Sequence, residues 1–226
     1  MAAISTSIMS NVKTGDHIIF QNDLYGGTRN FIQTEFDKFG IQYSFTKGLD
    51  PEDFSAQIKK NTVGIYVETP SNPLLKIVDL KTVSSIAKQN NLWTMIDNTF
   101  ASPVNQNPID HGIDIVIHSA TKYLGGHSDI SAGAVISTEF KINNILNSAK
   151  NLGGNLSDYT VWLLERSMKT LLIRVREQTE NAKILSKMLD ENKNISRVYY
   201  PGLENHPSHE IAKEQMNDFG AMMSFD

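Results

Sequence analysis

Asp114-Ile115-Val116-Ile117-His118-Ser119-Ala120-Thr121-Lys122-Tyr123-Leu124-Gly125-Gly126-His127-Ser128-Asp129 is the stretch on which the reading of this chain turns. Ile115, Val116 and Ile117 form an uninterrupted apolar run, the pattern of a strand buried on both faces of a parallel sheet. Polar residues and glycines follow, so the chain leaves the sheet there. A lysine at such a strand end lies at the carboxyl edge, where an open α/β sheet holds its ligand. Partial desolvation in that place makes a lysine amine nucleophilic towards carbonyls. Ser119 and Thr121 add hydroxyls able to hold phosphate oxygens, and Gly125-Gly126 permits close backbone approach. Taken alone, the stretch also fits a surface lysine in a polar turn.

The alternation continues on both sides. Short apolar runs predict strands over 17–20, 42–46, 63–68, 93–97 and 134–136. Phe31, Ile32, Phe36 and Phe39 recur at helical spacing within 27–39, and Leu80, Val83, Ile86 and Ala87 share one face of 79–90. Pro51 sits where a helix start tolerates a missing N–H. The β-α-β-α order predicts an α/β fold, a mainly parallel sheet with helices on both faces. Chemistry is then expected just past the strand ends Glu68, Asp97 and Ser119.

Beyond 157 the pattern changes. Val161, Leu164, Met168, Leu171, Val175, Ala182, Leu185 and Leu189 follow the helical repeat, which predicts one long helix, or two in line, over 157–191 with a single buried stripe. A strand over 196–200, a Pro201-Gly202 turn, a helix near 209–216 and a strand over 221–225 without an evident partner come after it. The expected division is a cofactor-binding large domain over 1–154. A linking helix and the start of a smaller α+β domain are expected over 155–226.

Composition narrows the function classes. Of 226 residues, 40% are hydrophobic and 20% charged, which fits a folded globular chain and not a disordered one. Lys+Arg 21 against Asp+Glu 25 gives a formal net charge of -4, so no bulk basic field favours nucleic acid or an anionic membrane. No apolar run reaches the ~20 residues of a membrane helix. With no cysteine there is no disulfide, thiolate metal site or cysteine nucleophile. The opening MAAISTSIMSNVKTGD lacks the basic flank and apolar core of a signal peptide, so the expected compartment is the cytoplasm. Neither G-x-G-x-x-G after a strand nor G-x-x-x-x-G-K-[ST] occurs, which counts against a nicotinamide oxidoreductase. His206 and His209 flank Pro207 in a turn and are not read as metal ligands. His118 and His127 are expected to make structural hydrogen bonds, and Trp162 and Met168 to pack inside.

Three further pieces fall at strand ends. Asp97 closes an apolar strand, where a carboxylate is costly unless a cation meets it. A protonated pyridine nitrogen is one such partner; a lysine, an arginine or a helix N-terminus would serve as well. Tyr25, followed by Gly26 and Gly27 at a strand-to-helix turn, can lie flat on a planar ring, and the helix N-terminus behind it can bind an anion. Asn72, held between prolines, can reach a ring hydroxyl. Each alone also reads as ordinary turn chemistry. Together a lysine, an aspartate, a stacking tyrosine, an asparagine and phosphate-holding hydroxyls suit pyridoxal 5'-phosphate. The lysine bonds its aldehyde, the aspartate keeps its ring nitrogen protonated, and the hydroxyls hold its phosphate.

Six segments carry a resemblance: DLYGGT at 23–28, ETPSNP at 68–73, DNTFASP at 97–103, HSATKYLGGHSD at 118–129, LLERSMKTL at 163–171 and YPGLENHPSH at 200–209. Over essentially its whole length the chain resembles the Cys/Met metabolism family of pyridoxal-phosphate enzymes. The resemblance implies an aspartate-aminotransferase-type fold. It implies that Lys122 bonds the cofactor, that Asp97 faces the pyridine nitrogen, and that Tyr25 stacks on the ring and helps the leaving group depart. It implies that Ser119, Thr121 and the backbone N–H of Met1 face the phosphate, and that Asn72 lies near the ring hydroxyl and the substrate carboxylate. Glu68 matches a family position near the site, with no chemical step assigned. The family's N-terminal arm, phosphate-loop glycine and carboxylate-gripping arginine are not matched, so the sequence reads as a portion of a longer chain, and an inactive fragment is one expectation. The implied activity is elimination or replacement at the γ or β carbon of a sulfur-containing or O-acylated amino acid. Cystathionine γ-lyase or γ-synthase is the expected type, because Tyr25-Gly26-Gly27-Thr28 is more similar to those enzymes than to methionine γ-lyase. Methionine γ-lyase, cystathionine β-lyase and O-acylhomoserine sulfhydrylase are alternatives. The family further implies a small-molecule amino-acid substrate and a homotetramer.

Overall fold

The computed structural model describes all residues from Met1 to Asp226. Six strands form one sheet: β1 (His17–Phe20), β2 (Gln42–Phe45), β3 (Thr62–Glu68), β4 (Trp93–Asp97), β5 (Ile115–His118) and β6 (Ala134–Ile136), in the order β2-β1-β3-β4-β5-β6. The first five pair in parallel, and β6 runs antiparallel to β5. Successive strand residues point to opposite faces, so each strand feeds two cores. Ile18, Phe20, Tyr66, Met95, Ile115 and Ile117 enter one core with Ile4, Ile8, Ile32, Phe36 and Ile145. Ile19, Ile65, Val67, Ile96 and Val116 enter the other with Phe54, Leu80, Val83 and Ile86. The first face is covered by α1 (Ala2–Met9) and α2 (Gly26–Glu35), the second by α3 (Pro51–Ser55) and α4 (Leu80–Gln89). This is the mainly parallel, doubly covered sheet expected from the apolar runs.

The short α5 (Ser102–Asn105) follows β4, and α6 (Glu139–Leu152) returns to the first face through Ile145. Neither was read from the sequence. α6 buries Ile145 alone, so its apolar residues form no stripe that a periodicity argument could find. The expected helix over 27–39 ends earlier, because Phe36–Phe39 tightens into a 3₁₀ turn closed by Gly40.

The crossover consists of two helices, α7 (Asp158–Met168) and α8 (Leu171–Asp190), separated at Lys169-Thr170. Val175 and Ala182 are buried, but Val161, Trp162, Met168 and Leu185 are exposed. The expected single buried stripe is therefore only partly formed, and Trp162 and Met168 are not packing residues here. No element of this chain covers the face that carries them. The terminal segment also differs from expectation. β8 (Ser224–Phe225) has a partner, the antiparallel β7 (Val198–Tyr199), with Val198 beside Phe225 and Tyr199 beside Ser224. Between them, α9 (His209–Gln215) packs Ala212 against Ala101 and Ile77 of the large sheet's loops. No helix is long and apolar enough to cross a membrane.

Candidate active site

The carboxyl ends of β3, β4 and β5 open onto a cleft of ≈ 1220 Å³. Met1, Tyr25, Asn72, Asp97, Ser119, Thr121 and Lys122 all line it, as does Glu68. The sheet brings them together because parallel strands end on one edge.

Glu68 and Asp97 stand side by side in register on β3 and β4. Both are buried, and neither joins any of the chain's ion pairs. Asp97 Oδ1 accepts two hydrogen bonds from Thr99, from its hydroxyl at 2.5 Å and its N–H at 3.0 Å. The Thr99 hydroxyl oxygen in turn accepts the Ser119 N–H at 2.7 Å. The end of β4 is thereby tied to the start of the lysine turn. Burial raises the Asp97 carboxyl pKa, opposed by the Thr99 bonds and by the Met1 amino group. Burial, with the charge of Asp97, pushes Glu68 up to about 8. Glu68 Oε2 accepts the Tyr25 N–H at 2.7 Å, which fixes the turn that starts α2. Tyr25 itself leans half-exposed over the cleft.

The lysine turn closes on itself. Lys122 N–H donates to Ser119 O at 3.0 Å, Gly125 N–H to Ala120 O at 2.8 Å, and Gly126 N–H to Lys122 O at 2.7 Å. This turn lifts Lys122 off the sheet edge, so its side chain is exposed rather than partly desolvated as the sequence led us to expect. Thr121 is bound to Ala132: its hydroxyl oxygen accepts the Ala132 N–H at 2.9 Å, and its O–H donates to Ala132 O at 3.2 Å. Ser119's hydroxyl makes no such internal bond. Met1, Ala2, Ala3 and Ile4 face the cleft. The first backbone bond of α1 runs from Ser5 N–H to Met1 O, so the N–H groups before Ser5 are unspent at the helix's positive end. Asn72 is exposed at the rim, in the loop after β3.

The histidines divide. His127 Nδ1 meets Gly125 O at 2.6 Å, the structural bond expected of it. His118 does not behave so. It is buried, its Nδ1 has no partner, and burial lowers it to about 4, which keeps it neutral. His209 Nδ1 meets Pro201 O at 2.8 Å while its ring stacks on Phe219, and His206 Nδ1 accepts the Ser208 N–H. Arg174, Gln178 and Asn181 of α8 also line the cleft. Sequence reasoning missed them, because they read as the solvent side of a crossover helix.

The profile of a family described as Cys/Met metabolism PLP-dependent enzyme matches residues 1–226. The chain belongs to this family. Cystathionine beta-lyase of Lactococcus lactis subsp. cremoris is 45% identical over 221 residues, covering 97% of this chain and 58% of that protein. A probable cystathionine gamma-synthase of Herpetosiphon aurantiacus is 42% identical, covering 97% of this chain and 69% of that protein. The crystal structure of cystathionine gamma-lyase from Lactobacillus plantarum, complexed with L-serine, matches with a TM-score of 0.96 at 41% identity, covering 100% of this chain and 59% of that one. The chain thus spans less than two thirds of the length of the Lactococcus and Lactobacillus proteins.

The donor set fits the family's cofactor. Two buried carboxyls without a cation offer a place to a protonated ring nitrogen. The unspent N–H groups of α1 and the Ser119 hydroxyl offer a place to a phosphate. The exposed Lys122 offers an amine to an aldehyde.

Proposed function

We propose that the whole protein catalyses elimination or replacement at the γ or β carbon of a sulfur-containing or O-acylated amino acid. The supporting observation is that an exposed amine, a buried carboxyl pair without a cation and an aromatic ring meet in one cleft. When bound, pyridoxal phosphate supplies a ring that withdraws electrons from the α carbon of the amino acid. In this reading the residues take the tasks that the family resemblance implies. Lys122 would hold the cofactor by its aldehyde, and its amine, once the substrate's own amine has displaced it, would take and return the substrate's α proton. Asp97, steadied by Thr99, presents negative charge to the ring nitrogen. Tyr25 covers the ring, and its hydroxyl supplies a proton to the departing sulfur or oxygen. Ser119, Thr121 and the α1 N-terminus at Met1 receive the phosphate; Thr121 does so by giving up its bond to Ala132 O. Asn72 reaches the ring hydroxyl and the substrate carboxylate.

Residues 1–154 form the cofactor-binding domain in this reading, and 155–226 the linker and the start of a smaller one. A cystathionine γ-lyase or γ-synthase is favoured by Tyr25-Gly26-Gly27-Thr28, acting as a cytoplasmic homo-oligomer. The test is borohydride reduction of the chain mixed with pyridoxal phosphate, followed by peptide mapping. Label is expected on Lys122, and label elsewhere with Lys122 clean would sink the reading.

A further inference from the structure

Arg174 lies in the first turn of α8, where the helix's positive end disfavours a cation. No carboxylate offsets this, since Arg174 belongs to none of the ion pairs. Its guanidinium meets only uncharged acceptors. Nη1 donates to Tyr123 O at 2.9 Å, Nη2 to Ser167 O at 3.0 Å and Leu124 O at 3.5 Å, and Nε to Thr170 Oγ1 at 3.1 Å. One side chain thereby joins the end of α7, the start of α8 and the turn directly after Lys122. The carbonyls of Ser119, Ala120 and Lys122 are satisfied inside that turn. Those of Tyr123 and Leu124 are met by Arg174. Gly126 completes the fit: its φ is +73°, and a Cβ there would overlap Nη1. The turn therefore passes directly against the guanidinium, at a position only glycine occupies without strain.

We propose that Arg174 is the positioning residue of the Lys122 turn. By holding the carbonyls of Tyr123 and Leu124 it fixes the direction in which Lys122 enters the cleft. By holding Ser167 O and Thr170 as well, it makes that direction depend on the placement of α7 and α8. Any shift of the crossover helices is then felt at the lysine. The inference rests on Lys122 being the cofactor-bearing lysine, and the experiment below separates the two claims.

Wild type, Arg174→Met and Arg174→Lys are compared in two measurements. One is backbone amide hydrogen exchange across 119–126 and 168–171 in the cofactor-free chain. The other is the rate at which pyridoxal phosphate becomes trapped on Lys122 by borohydride. Arg174→Met is expected to speed exchange at Gly125 and Gly126 by about tenfold, through easier local opening, and to slow trapping at Lys122 by a similar factor. Added ethylguanidinium is expected to restore part of both. Arg174→Lys should fall between, because a compact ammonium cannot span three carbonyls as a planar fork does. If Arg174 merely caps the α7–α8 junction, exchange rises at Lys169 and Thr170 while Gly125, Gly126 and trapping stay unchanged, and the proposal is overturned. Should Arg174→Met not fold, Arg174→Lys carries the same comparison. Label on a different lysine in the wild type would remove Lys122 from its proposed role, and the exchange data alone would then decide for or against the clamp.

Discussion

Glu68 and Asp97 place two buried carboxyls side by side at the cleft, and neither joins an ion pair. Adjacent buried charges of one sign are mutually costly, so at least one of the pair carries a proton. Burial raises both carboxyls, Glu68 to about 8, and at Asp97 the two Thr99 bonds and the Met1 amino group oppose the rise. An unfolded glutamate titrates near 4.5. Between those values the folded chain keeps a proton that the unfolded chain has released, so Glu68 lowers stability as pH rises through this window, by at most about 1.4 kcal/mol per pH unit. His17 and His118, both lowered to about 4 by burial, act in the opposite sense, with stability lost as pH falls below 6.5. Above 6.5 the two histidines no longer contribute, and the slope belongs to the Glu68–Asp97 pair, both of whose carboxyls are raised by burial. The urea midpoint of the wild type should fall from pH 6.5 to 8, and that of Glu68→Gln should fall less steeply, because the amide does not titrate while its oxygen still accepts the Tyr25 N–H. Equal slopes in the two proteins would mean that Glu68 is already ionised in the fold. Asp97→Asn behaves differently. It removes the charge meant for the ring nitrogen, so affinity for pyridoxal phosphate, read by absorbance titration, should drop about tenfold or more. Folding should not suffer, since the amide oxygen still accepts both Thr99 bonds. Unchanged affinity would place the ring nitrogen elsewhere.

At the scale of elements, what was legible depended on burial. β3, β4 and β5 are buried nearly throughout, so their apolar runs stand out and their ends point to the site. α4 shows both its stripe and its Asp79 cap, whose Oδ1 accepts the Thr82 N–H at 3.0 Å. α6, α7 and α8 keep many apolar residues outside, and periodicity then misplaces the buried face. The unpartnered Nδ1 of His118 was equally hidden, because what surrounds a histidine lies in space and not along the chain. One element contact was also invisible from sequence. Gly64 on β3 lies against the indole of Trp93 on β4, and a Cβ there would overlap the ring. Gly64→Ala should cost about 1–3 kcal/mol by overpacking. Paired with Trp93→Ala the cost should largely vanish in a double-mutant cycle. Simple additivity in urea denaturation would show that the ring does not constrain this position.

At the scale of the whole molecule, apolar side chains on three helices are left open by the chain's own elements. Phe140 is 76% exposed, Ile173 73%, Tyr159 68% and Trp162 53%, and all four lie on α6, α7 or α8. Tyr159 and Trp162 stack on each other at 6.0 Å between centroids, a preformed aromatic pair facing outward. Surfaces enriched in exposed aromatic and aliphatic side chains mark association sites, and aromatic residues carry much of the energy when they are covered. One of these helices, α8, also lines the cleft through Arg174, Gln178 and Asn181, so a second copy seated on it would stand near the site. We predict that the chain self-associates at micromolar concentration in sedimentation equilibrium. Trp162→Asp should weaken that association by at least about 2 kcal/mol, the size of a hot-spot loss, through the desolvation of a charge inside the contact. The substitution is tolerable to the fold, because Trp162 touches solvent and its backbone bonds are those of α7. A wild type that sediments as a monomer, or a Trp162→Asp variant that associates as tightly as the wild type, would show that these helices face something other than a second copy.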